Sequence, residues 1–252
     1  MNFKDKNVII TGGSTGIGFA TAKAFIKAGA YVLITGRSVD SLQKAAIEIN
    51  NPKLKTVVSD ASNLTGISAL ENAASENGRK IDVLFLNAGI AIYLPIEQTT
   101  EEVFDVQFNT NVKGLFFTLQ KLIPHLADGA SVVVTSSTSA ATSQIAGGSY
   151  AATKSAVNTI ARVAANELAD RKIRVNIVSP GPIETPIFSK AGVPKEVEIQ
   201  IKANLANAIP SKRIGQPEEI ANAVLFLASD NASFISGTEL TADGGMLNYS
   251  LK

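Results

Sequence analysis

The sequence predicts a single α/β domain over residues 1–252, with a doubly wound parallel sheet of seven strands and helices on both faces. Two observations support this prediction. Short runs of β-branched and apolar residues alternate with longer stretches of helical periodicity, which is typical of repeated strand–helix units. The apolar runs are also nearly continuous, as expected of parallel strands that are covered on both faces.

The predicted strands are the seven short apolar runs. They are Asn7–Thr11, Tyr31–Thr35, Lys55–Ser59, Asp82–Leu86, Ser131–Thr135, Ile173–Val178 and Gly237–Thr241. The longer segments between them are predicted helices: Gly16–Ala28, Val39–Ile49, Leu64–Asn77, Thr100–Leu126, Ser149–Asp170 and Pro217–Ala228. The stretch 182–216 is too long for an ordinary strand–helix connection, so we expect it to be a substrate lid inserted in this domain.

Composition argues against several classes of function. The absence of cysteine excludes disulfides, thiolate catalysis and cysteine-ligated metals. The one histidine, His125, stands at a predicted helix end, which excludes a multi-histidine zinc site and argues against a Ser-His-Asp hydrolase. A formal net charge of +1 without a long basic run gives no sign of a nucleic-acid partner, and no apolar run is long enough to span a bilayer. We therefore expect a cytoplasmic protein without a metal.

A glycine-rich turn follows the first strand and leads into the first helix. Its glycines let the backbone approach a pyrophosphate, while the helix N-terminus offers free N–H groups and a positive dipole end. We expect a dinucleotide to contact this turn through Gly12, Ser14, Thr15, Gly16, Ile17 and Gly18. The turn contains no lysine, so it is not a Walker loop.

The end of the second strand bears on the choice of cofactor. An acidic residue here would bind the adenosine ribose hydroxyls of NAD, whereas an arginine would pair with the 2′-phosphate of NADP. Gly36 stands in the place of the acid and Arg37 follows it. This favours NADP, with NAD as the alternative if Arg37 is only a surface residue.

Tyr150 and Lys154 lie one helical turn apart, on the same face of a predicted helix. An ammonium beside a phenol favours the phenolate, and lowering the phenol pKa from about 10 to about 7 corresponds to roughly 4 kcal/mol. Ser137 ends the fifth strand, 13 residues before Tyr150, at the sheet edge where ligands bind. We expect its hydroxyl to hold a substrate oxygen; the 13-residue spacing favours Ser137 over its neighbour Ser136.

Taken together, these motifs resemble the short-chain dehydrogenase/reductase family over essentially the whole chain. The matching pieces occur in order: Thr11-Gly12-x-x-x-Gly16-x-Gly18, Asp60, Asn87-Ala88-Gly89, Asn111, Ser137, Tyr150-x-x-x-Lys154, Pro180-Gly181-Pro182 and Asp243-Gly244-Gly245. The resemblance implies an NAD(P)-dependent enzyme that interconverts a ketone or aldehyde and an alcohol by hydride transfer.

The resemblance also implies roles for the matching residues. Tyr150 would be the general acid/base, Lys154 would lower its pKa and bind the nicotinamide ribose, and Ser137 would orient the carbonyl. Asn111 would anchor a proton-relay water from a helix bulge. The implied cofactor contacts, besides the glycine turn, Arg37, Tyr150 and Lys154, are Asp60, Ala61, Asn87, Ala88, Gly89, Pro180, Gly181, Ile183 and Thr185.

Structural roles remain open for three of these motif residues. Asn87 could mainly stabilise the central strand, and Asn111 could simply shape a helix. Asp243 is expected to organise a C-terminal turn rather than to take part in the reaction.

Three functions remain open at this point. The leading interpretation is a carbonyl reductase for hydrophobic ketones, because the candidate pocket residues are apolar, although they could equally be packing residues: Leu94, Ile145, Ile187, Phe188 and Leu205. The second is a 3-oxoacyl-carrier-protein reductase, with Arg171, Lys172 and Arg174 as a basic dock for the carrier. The third, a non-catalytic dinucleotide-binding regulator, is disfavoured because both Tyr150 and Lys154 are present.

Self-association is also predicted. The helix Ser149–Asp170 is rich in alanine and serine, which allows close helix–helix approach, and the family usually pairs this helix across a two-fold axis. The segment Phe234 to Gly245 would form a second symmetric contact. We expect a homotetramer, with a dimer as the alternative.

Overall fold

The computed structural model of the protein describes residues 1–76, 78–185 and 194–247. Within these ranges seven parallel strands form one sheet in the order β3-β2-β1-β4-β5-β6-β7. The strands are β1 Asn7–Ile10, β2 Tyr31–Gly36, β3 Leu54–Val58, β4 Ile81–Leu86, β5 Leu126–Thr135, β6 Arg174–Pro180 and β7 Glu239–Ala242. The predicted fold class is confirmed, because this order is that of a doubly wound sheet.

Helices cover both faces of the sheet. They are α1 Gly16–Lys27, α2 Val39–Ile49, α3 Leu64–Glu76, α4 Glu101–Phe108, α5 Gly114–Leu122, α6 Gly148–Glu167, α7 Lys195–Ala208 and α8 Pro217–Ala228. The predicted bounds of α2 and α8 match these residues, and α2 begins where the Ser38 hydroxyl accepts a hydrogen bond from Ser41 N.

Two apolar layers hold these helices against the sheet. One layer joins Leu70 of α3, Leu119 of α5 and Val157 of α6 to strand residues such as Ile9. The other joins Phe25 of α1, Leu42 of α2 and Val224 of α8 to Ile10. Because Ile9 and Ile10 are neighbours on β1, the alternation of side chains along a strand supplies both layers.

The two edge strands depart from the predicted pattern. The sequence predicts strands covered on both faces, yet β3 and β7 consist of half-buried and exposed residues, and the Val58 side chain is 50% exposed. The reason is position, because an edge strand has a neighbour on one side only and helices cover it less completely.

The predicted helix Thr100–Leu126 is wrong as a single helix. A π-helical turn over Asn109–Lys113 separates α4 from α5, and a 3₁₀ turn over Ile123–His125 ends the run before β5 begins at Leu126. A π turn places an extra residue in the helix and often occurs at functional sites. Here it points Thr110 and Asn111 inward, since both are buried.

The stretch 182–216 is tied together at its two ends. Ile183 and Gly215 form a parallel bridge, with Glu184 N donating to Gly215 O at 2.8 Å and Gly215 N donating to Pro182 O at 3.0 Å. Between them α7 was not predicted, and each of its residues is at least partly exposed. In the described part of the chain, no helix is long and apolar enough to cross a membrane.

Candidate active site

The glycine turn packs directly against α1 and the end of β4. Gly12 has a φ of +64°, and a Cβ there would lie 3.0 Å from Ala88 Cα. A Cβ on Gly18 would lie only 2.3 Å from Gly12 O. The close approach of these backbones requires glycine, and it leaves the start of α1 facing the carboxyl edge of the sheet.

Asn87 ties three segments together at that edge. Its Nδ2 donates to Thr11 O and Gly12 O, both at 3.2 Å, and its Oδ1 accepts from Thr135 Oγ1 at 3.2 Å. The Thr11 hydroxyl in turn accepts from Asn87 N at 2.9 Å and Ala88 N at 3.0 Å. The side chain of Asn87 therefore links β1, the glycine turn and β5, which is the structural role left open for it above.

Asn111 reaches from the π turn to the neighbouring loop and helix. Its Oδ1 accepts from Ile90 N at 2.8 Å, and its Nδ2 donates to Ile90 O at 2.8 Å and Thr153 Oγ1 at 3.1 Å. A Cβ added to Gly89 would lie 3.2 Å from Asn111 Oδ1 and 3.5 Å from Lys154 Nζ. The expected helix bulge is present. It places the Asn111 side chain on one side of Gly89, close to the ammonium of Lys154.

Lys154 is buried at the centre of the site, with 5% of its surface exposed. Its Nζ donates to Thr135 O at 3.0 Å. Burial lowers the pKa of its ammonium to about 8. The ammonium is thus held by a backbone carbonyl, beside the carboxyl end of β5.

Ser137 and Tyr150 meet as predicted from the spacing. Their side chains are hydrogen-bonded to each other, and the Ser137 hydroxyl also accepts from Ser139 N at 3.1 Å. The neighbouring Ser136 hydroxyl is turned away, because it donates to Lys154 O at 3.3 Å and is buried. The structure therefore separates the two serines, and Ser137 is the one beside the phenol.

The expected lowering of the Tyr150 pKa is wrong for the protein's own groups. Burial is the largest influence and raises the pKa of the phenol above its usual range, the nearby Tyr93 raises it further, and the hydrogen bond with Ser137 opposes them. Lys154 Nζ lies 5.8 Å from the centre of the Tyr150 ring and is directed to a backbone carbonyl. At neutral pH the phenol is therefore protonated and is a proton donor.

The adenosine end carries the other predicted contacts. Arg37 follows β2 and is exposed, and a Cβ on Gly36 would lie 3.0 Å from Ser14 Oγ. The Asp60 carboxylate accepts from Ser62 N at 2.9 Å and from Ser62 Oγ at 2.8 Å. Ala61 borders α5, since a Cβ on Gly114 would be 2.1 Å from Ala61 O.

Two late motifs meet on the other side of the site. Gly181 N donates to Ala242 O at 3.0 Å, and a Cβ on Gly181 would lie 2.8 Å from Asp243 Cβ. Asp243 accepts from Gly245 N and Leu247 N, both at 2.8 Å. Asp243 thus organises the C-terminal turn, as expected. Pro180 ends β6, and Ile183 and Thr185 follow it, both half-buried.

Two residues of the site were missed by the sequence reasoning. Tyr93 lies with its ring centre 5.5 Å from that of Tyr150, and its side chain hydrogen-bonds Ser139. Gln107 is fully buried, with Oε1 accepting from Ile92 N at 3.0 Å and Nε2 donating to Ser149 Oγ at 2.7 Å. The available signals were a lone tyrosine in the loop after Asn87 and a glutamine inside an amphipathic helix, neither of which is specific.

The structure describes three of the five apolar residues that were predicted to line the substrate pocket. Leu94 is half-buried in the loop after β4, next to Tyr93, while Ile145 is 91% exposed in the segment before α6. Leu205 lies on α7 and is half-buried. Ile187 and Phe188 lie outside the described residues.

Two of the three residues of the predicted basic dock make internal hydrogen bonds, while Lys172 is exposed. Arg171 donates to Asp128 and to the carbonyls of Ile123 and Leu126, and Arg174 donates to the carbonyls of Leu227, Ser229 and Ile235. Both arginine side chains therefore connect neighbouring segments of this chain by hydrogen bonds. Lys172 and Arg174 also line a cavity of about 430 Å³ at the start of β6, the edge opposite Ser137.

These residues fit a dinucleotide on structural grounds. The cradle formed by Gly12 and Gly18 admits no side chain, and it sits at the N-terminus of a 12-residue helix that can hold a pyrophosphate. From there the edge of the sheet runs past Ala88 and Gly89 to Lys154 and Tyr150. An extended cofactor laid along that edge would bring its reactive ring to the phenol.

Comparisons with known proteins agree with this geometry. The chain matches the family model described as Enoyl-(Acyl carrier protein) reductase over residues 12–247. It is 34% identical to the 3-oxoacyl-[acyl-carrier-protein] reductase FabG of Thermotoga maritima over 252 residues, which is 98% of this chain and 100% of that protein. It is 35% identical to the NADP-dependent (R)-specific alcohol dehydrogenase of Lentilactobacillus kefiri over 248 residues, 96% of each chain.

A solved structure of a short-chain dehydrogenase/reductase of unknown function from Caenorhabditis elegans, determined with cofactor, superposes with a TM-score of 0.90 at 35% identity, covering 97% of this chain and 96% of that chain. Sequence and structure therefore agree over nearly the whole length. The chain belongs to the short-chain dehydrogenase/reductase family and is an NAD(P)-dependent oxidoreductase.

Proposed function

We propose that the protein is an NADPH-dependent carbonyl reductase that uses Tyr150 as general acid and base. The observation that carries this proposal is the cluster in which the Tyr150 phenol hydrogen-bonds Ser137 while the buried Lys154 lies one turn away. The three groups come from two elements, because Ser137 follows the end of β5 and the other two lie on the first turns of α6. Such an arrangement can hold and protonate one oxygen atom.

In this mechanism Ser137 and Tyr150 donate hydrogen bonds to the carbonyl oxygen and stabilise the negative charge that develops there. The nicotinamide, when bound, supplies the hydride in reduction or accepts it in oxidation. Tyr150 Oη gives its proton to the oxygen, and the raised pKa of the phenol keeps that proton in place at neutral pH. Lys154 places a positive charge near the phenolate that remains, and it would also hold the nicotinamide ribose.

Gly89 and Asn111 flank Lys154, so a water bound at the π turn would connect the lysine to solvent. We propose this as the route by which Tyr150 regains its proton. The π turn supports it, because such turns within α-helices frequently occur at functional sites.

The proposed cofactor preference for NADPH rests on Arg37 and Gly36. Gly36 provides no carboxylate to accept ribose hydroxyls or to repel a 2′-phosphate, and the exposed Arg37 can pair with that phosphate. Asp60 and Ala61 would border the adenine, and Asn87, Ala88 and Gly89 the adenosine ribose. Pro180, Gly181, Ile183 and Thr185 would line the nicotinamide side. The name of the Lentilactobacillus kefiri relative supports the same preference.

Hydrophobic ketones are the proposed substrates, because apolar side chains are exposed in the loop after β4 and in the segment that leads into α6, the helix that carries Tyr150. Ile96 is 86% exposed and Ile145 is 91% exposed. The segment 182–216 is proposed as the lid over this side. Its ends are held together at Ile183 and Gly215, and Lys202 of α7 forms an ion pair with Glu184, which lies outside the helix.

A 3-oxoacyl-carrier-protein reductase is the second candidate, supported by the family model and by the Thermotoga maritima relative. Within the described residues, the guanidinium groups of Arg171 and Arg174 are engaged in internal hydrogen bonds, which leaves Lys172 as the uncommitted cation of the predicted carrier dock. We therefore rank this activity below reduction of a free hydrophobic ketone.

The test is turnover of NADPH with a panel of aliphatic ketones, aryl ketones and a 3-oxoacyl thioester. Wild type should reduce ketones, and Tyr150→Phe should lose activity by about 10²- to 10⁴-fold with little change in NADPH affinity, because general acid catalysis contributes that much. Activity of Tyr150→Phe within about ten-fold of wild type would contradict the assigned role. Cofactor binding without turnover of any substrate would support the regulator class instead.

A homotetramer is the proposed assembly, with a dimer as the alternative. Large apolar side chains are exposed on the helices that would pair, with Phe116 of α5 at 45% and Val163 of α6 at 49%. Phe234 is fully exposed next to β7, where the second contact is expected. Light scattering at micromolar concentration should give the mass of four chains, and a monomer mass would refute the proposal. The cytoplasmic location stays a prediction.

A further inference from the structure

Tyr93 faces the catalytic centre but has no part in the proton transfer described above. Its ring centre lies 5.5 Å from that of Tyr150, with 59° between the planes. The residue is 40% exposed. A tyrosine that only filled the core would be enclosed, so the exposed part of this ring is available to a ligand beside the reacting phenol.

The position of Tyr93 is fixed by buried polar contacts. Gln107 accepts from Ile92 N and donates to Ser149 Oγ, and these two partners directly precede Tyr93 and Tyr150 in the sequence. Gln107 is fully buried. One buried amide therefore sets the spacing of the two tyrosines.

The hydroxyl of Tyr93 is anchored as well. Its side chain hydrogen-bonds Ser139, and Ser139 N donates to Ser137 Oγ at 3.1 Å. Tyr93 and Tyr150 thus attach to the same short turn, at Ser139 and Ser137. With its backbone held at Ile92 and its hydroxyl at Ser139, the ring is pre-organised, which lowers the entropy cost of binding against it.

Apolar surface continues on this side of the site. Ile96 follows Tyr93 in the same loop and is 86% exposed, and a Cβ on Gly148 would lie 3.4 Å from Ile96 Cγ1. The loop therefore presents an aromatic ring and an aliphatic side chain near the N-terminus of α6.

We propose that Tyr93 is a specificity-determining residue whose ring forms one wall of the substrate site and favours carbonyl compounds with an aryl group next to the carbonyl. The proposal rests on the proposed function, because Ser137 and Tyr150 are the groups proposed to orient the carbonyl so that its adjacent substituent lies against Tyr93. Aromatic rings prefer offset or tilted contacts with centres 4.5–7 Å apart. A flat aryl substituent can make such a contact with Tyr93, whereas a saturated ring cannot.

Two matched ketones test this proposal, acetophenone and cyclohexyl methyl ketone, which share a carbon skeleton and differ in aromaticity. The ratio of their kcat/KM values should fall by about 2- to 12-fold in Tyr93→Leu, the size expected of one aromatic contact. Tyr93→Phe keeps the ring and should hold the ratio within about two-fold of wild type. Gln107→Leu should lower the ratio too, since it releases the loop at Ile92.

An unchanged ratio in Tyr93→Leu would overturn the proposal. An equal fall in Tyr93→Phe would also overturn it, because the hydroxyl rather than the ring would then be selective. A fall of both kcat/KM values together, with no change in their ratio, would mean that Tyr93 only supports the fold.

A binding measurement separates this proposal from the proposed function. The affinities of both ketones are measured by ligand-observed NMR in the NADPH complex of Tyr150→Phe, which keeps the ring at position 150 but should not react. The aryl ketone should bind more tightly, and Tyr93→Leu in that background should remove the difference. If wild type reduces no ketone but this difference in affinity is found, the proposed carbonyl reductase activity is wrong, while the proposed preference of Tyr93 for aryl groups is supported. If neither ketone binds, or if both bind equally with and without Tyr93→Leu, the proposed preference of Tyr93 for aryl groups is refuted.

Discussion

Around the glycine turn, backbones approach so closely that an added Cβ would clash, and the Asn87 side chain bonds to the backbone there. Around Tyr150, neighbouring segments are joined by buried polar side chains and not by close backbone contact. A Cβ on Gly18 would come within 2.3 Å of Gly12 O. At the other end, Asn111 and Gln107 are 1% and 0% exposed, and each bridges two separate segments by hydrogen bonds. The two ends of one sheet edge are therefore built on different physical principles.

The difference determines which substitutions each end tolerates. The dinucleotide end cannot accommodate an added atom, because a clash with backbone is relieved only by moving a whole segment. At the catalytic end, a buried donor or acceptor that loses its partner carries its full desolvation cost, whereas removing a buried charge relieves the cost of burying that charge. The corresponding tests add atoms at the dinucleotide end and remove charges or donors at the catalytic end.

Among the tests of this comparison, the largest effect is expected for Gly18→Ala. The added methyl collides with Gly12 O and with Asn87 Nδ2 at 2.7 Å, so α1 must move away from the glycine turn. A displacement of about 1 Å costs on the order of 10²-fold in function, and overpacking costs about 1–3 kcal/mol of stability. Titration of NADPH fluorescence and urea unfolding would measure both losses.

Gly148→Ala is the matched control for that substitution, because its added methyl meets only Ile96 Cγ1 at 3.4 Å and Ile96 Cδ1 at 3.8 Å. Its unfolding free energy should equal or exceed that of wild type, since alanine is a better helix former than glycine. If Gly18→Ala binds NADPH as tightly as wild type, the backbone-contact account of the dinucleotide end is wrong.

The second largest effect is expected for Arg37, the side chain proposed to set the preference for NADPH over NADH. Removing Arg37 in Arg37→Ala should lower the preference for NADPH over NADH by about 5- to 150-fold, the equivalent of one charge-assisted contact of about 1–3 kcal/mol. The measurement is kcat/KM for both cofactors. Lys44→Ala, which removes an exposed charge from α2, should leave the ratio unchanged. A wild type that prefers NADH, or a ratio insensitive to Arg37, would contradict the proposed preference.

The smallest effect is a gain of stability at the catalytic end. Burial lowers the Lys154 pKa from 10.5 to about 8, so the folded state disfavours the ammonium. The resulting cost, about 3 kcal/mol, is present in full below pH 8 and disappears as pH rises toward 10.5. Lys154→Met removes it but also removes the bond to Thr135 O, which offsets about 1 kcal/mol.

Lys154→Met without added cofactor should therefore unfold with a free energy about 2 kcal/mol higher than wild type at pH 7, and the gain should shrink between pH 8 and pH 10.5. Urea unfolding across that range measures it. Lys113→Met, at an exposed lysine, should show no such pH-dependent gain. A gain independent of pH would mean that packing of the methionine, and not the buried charge, is responsible.

The sequence by itself determined the fold class, the order of the strands along the chain and the motif residues of the site. It could do so because these features depend on local chemistry. A glycine turn between an apolar run and a helix, or a tyrosine and a lysine four residues apart, can be identified without knowledge of distant contacts. The bounds of α2 and α8 were correct for the same reason, since capping and periodicity act within one segment.

Only the tertiary structure decided how the polar groups share the site. The π turn at Asn109–Lys113 follows from what Asn111 must reach, namely Ile90 and Thr153, and no periodicity within that helix reveals it. Gln107 and Tyr93 become part of the site through Ser149 and Ser139, residues about forty positions away. The direction in which the Tyr150 pKa shifts was decided in the same way, because burial by surrounding segments is the largest influence on the phenol and raises its pKa.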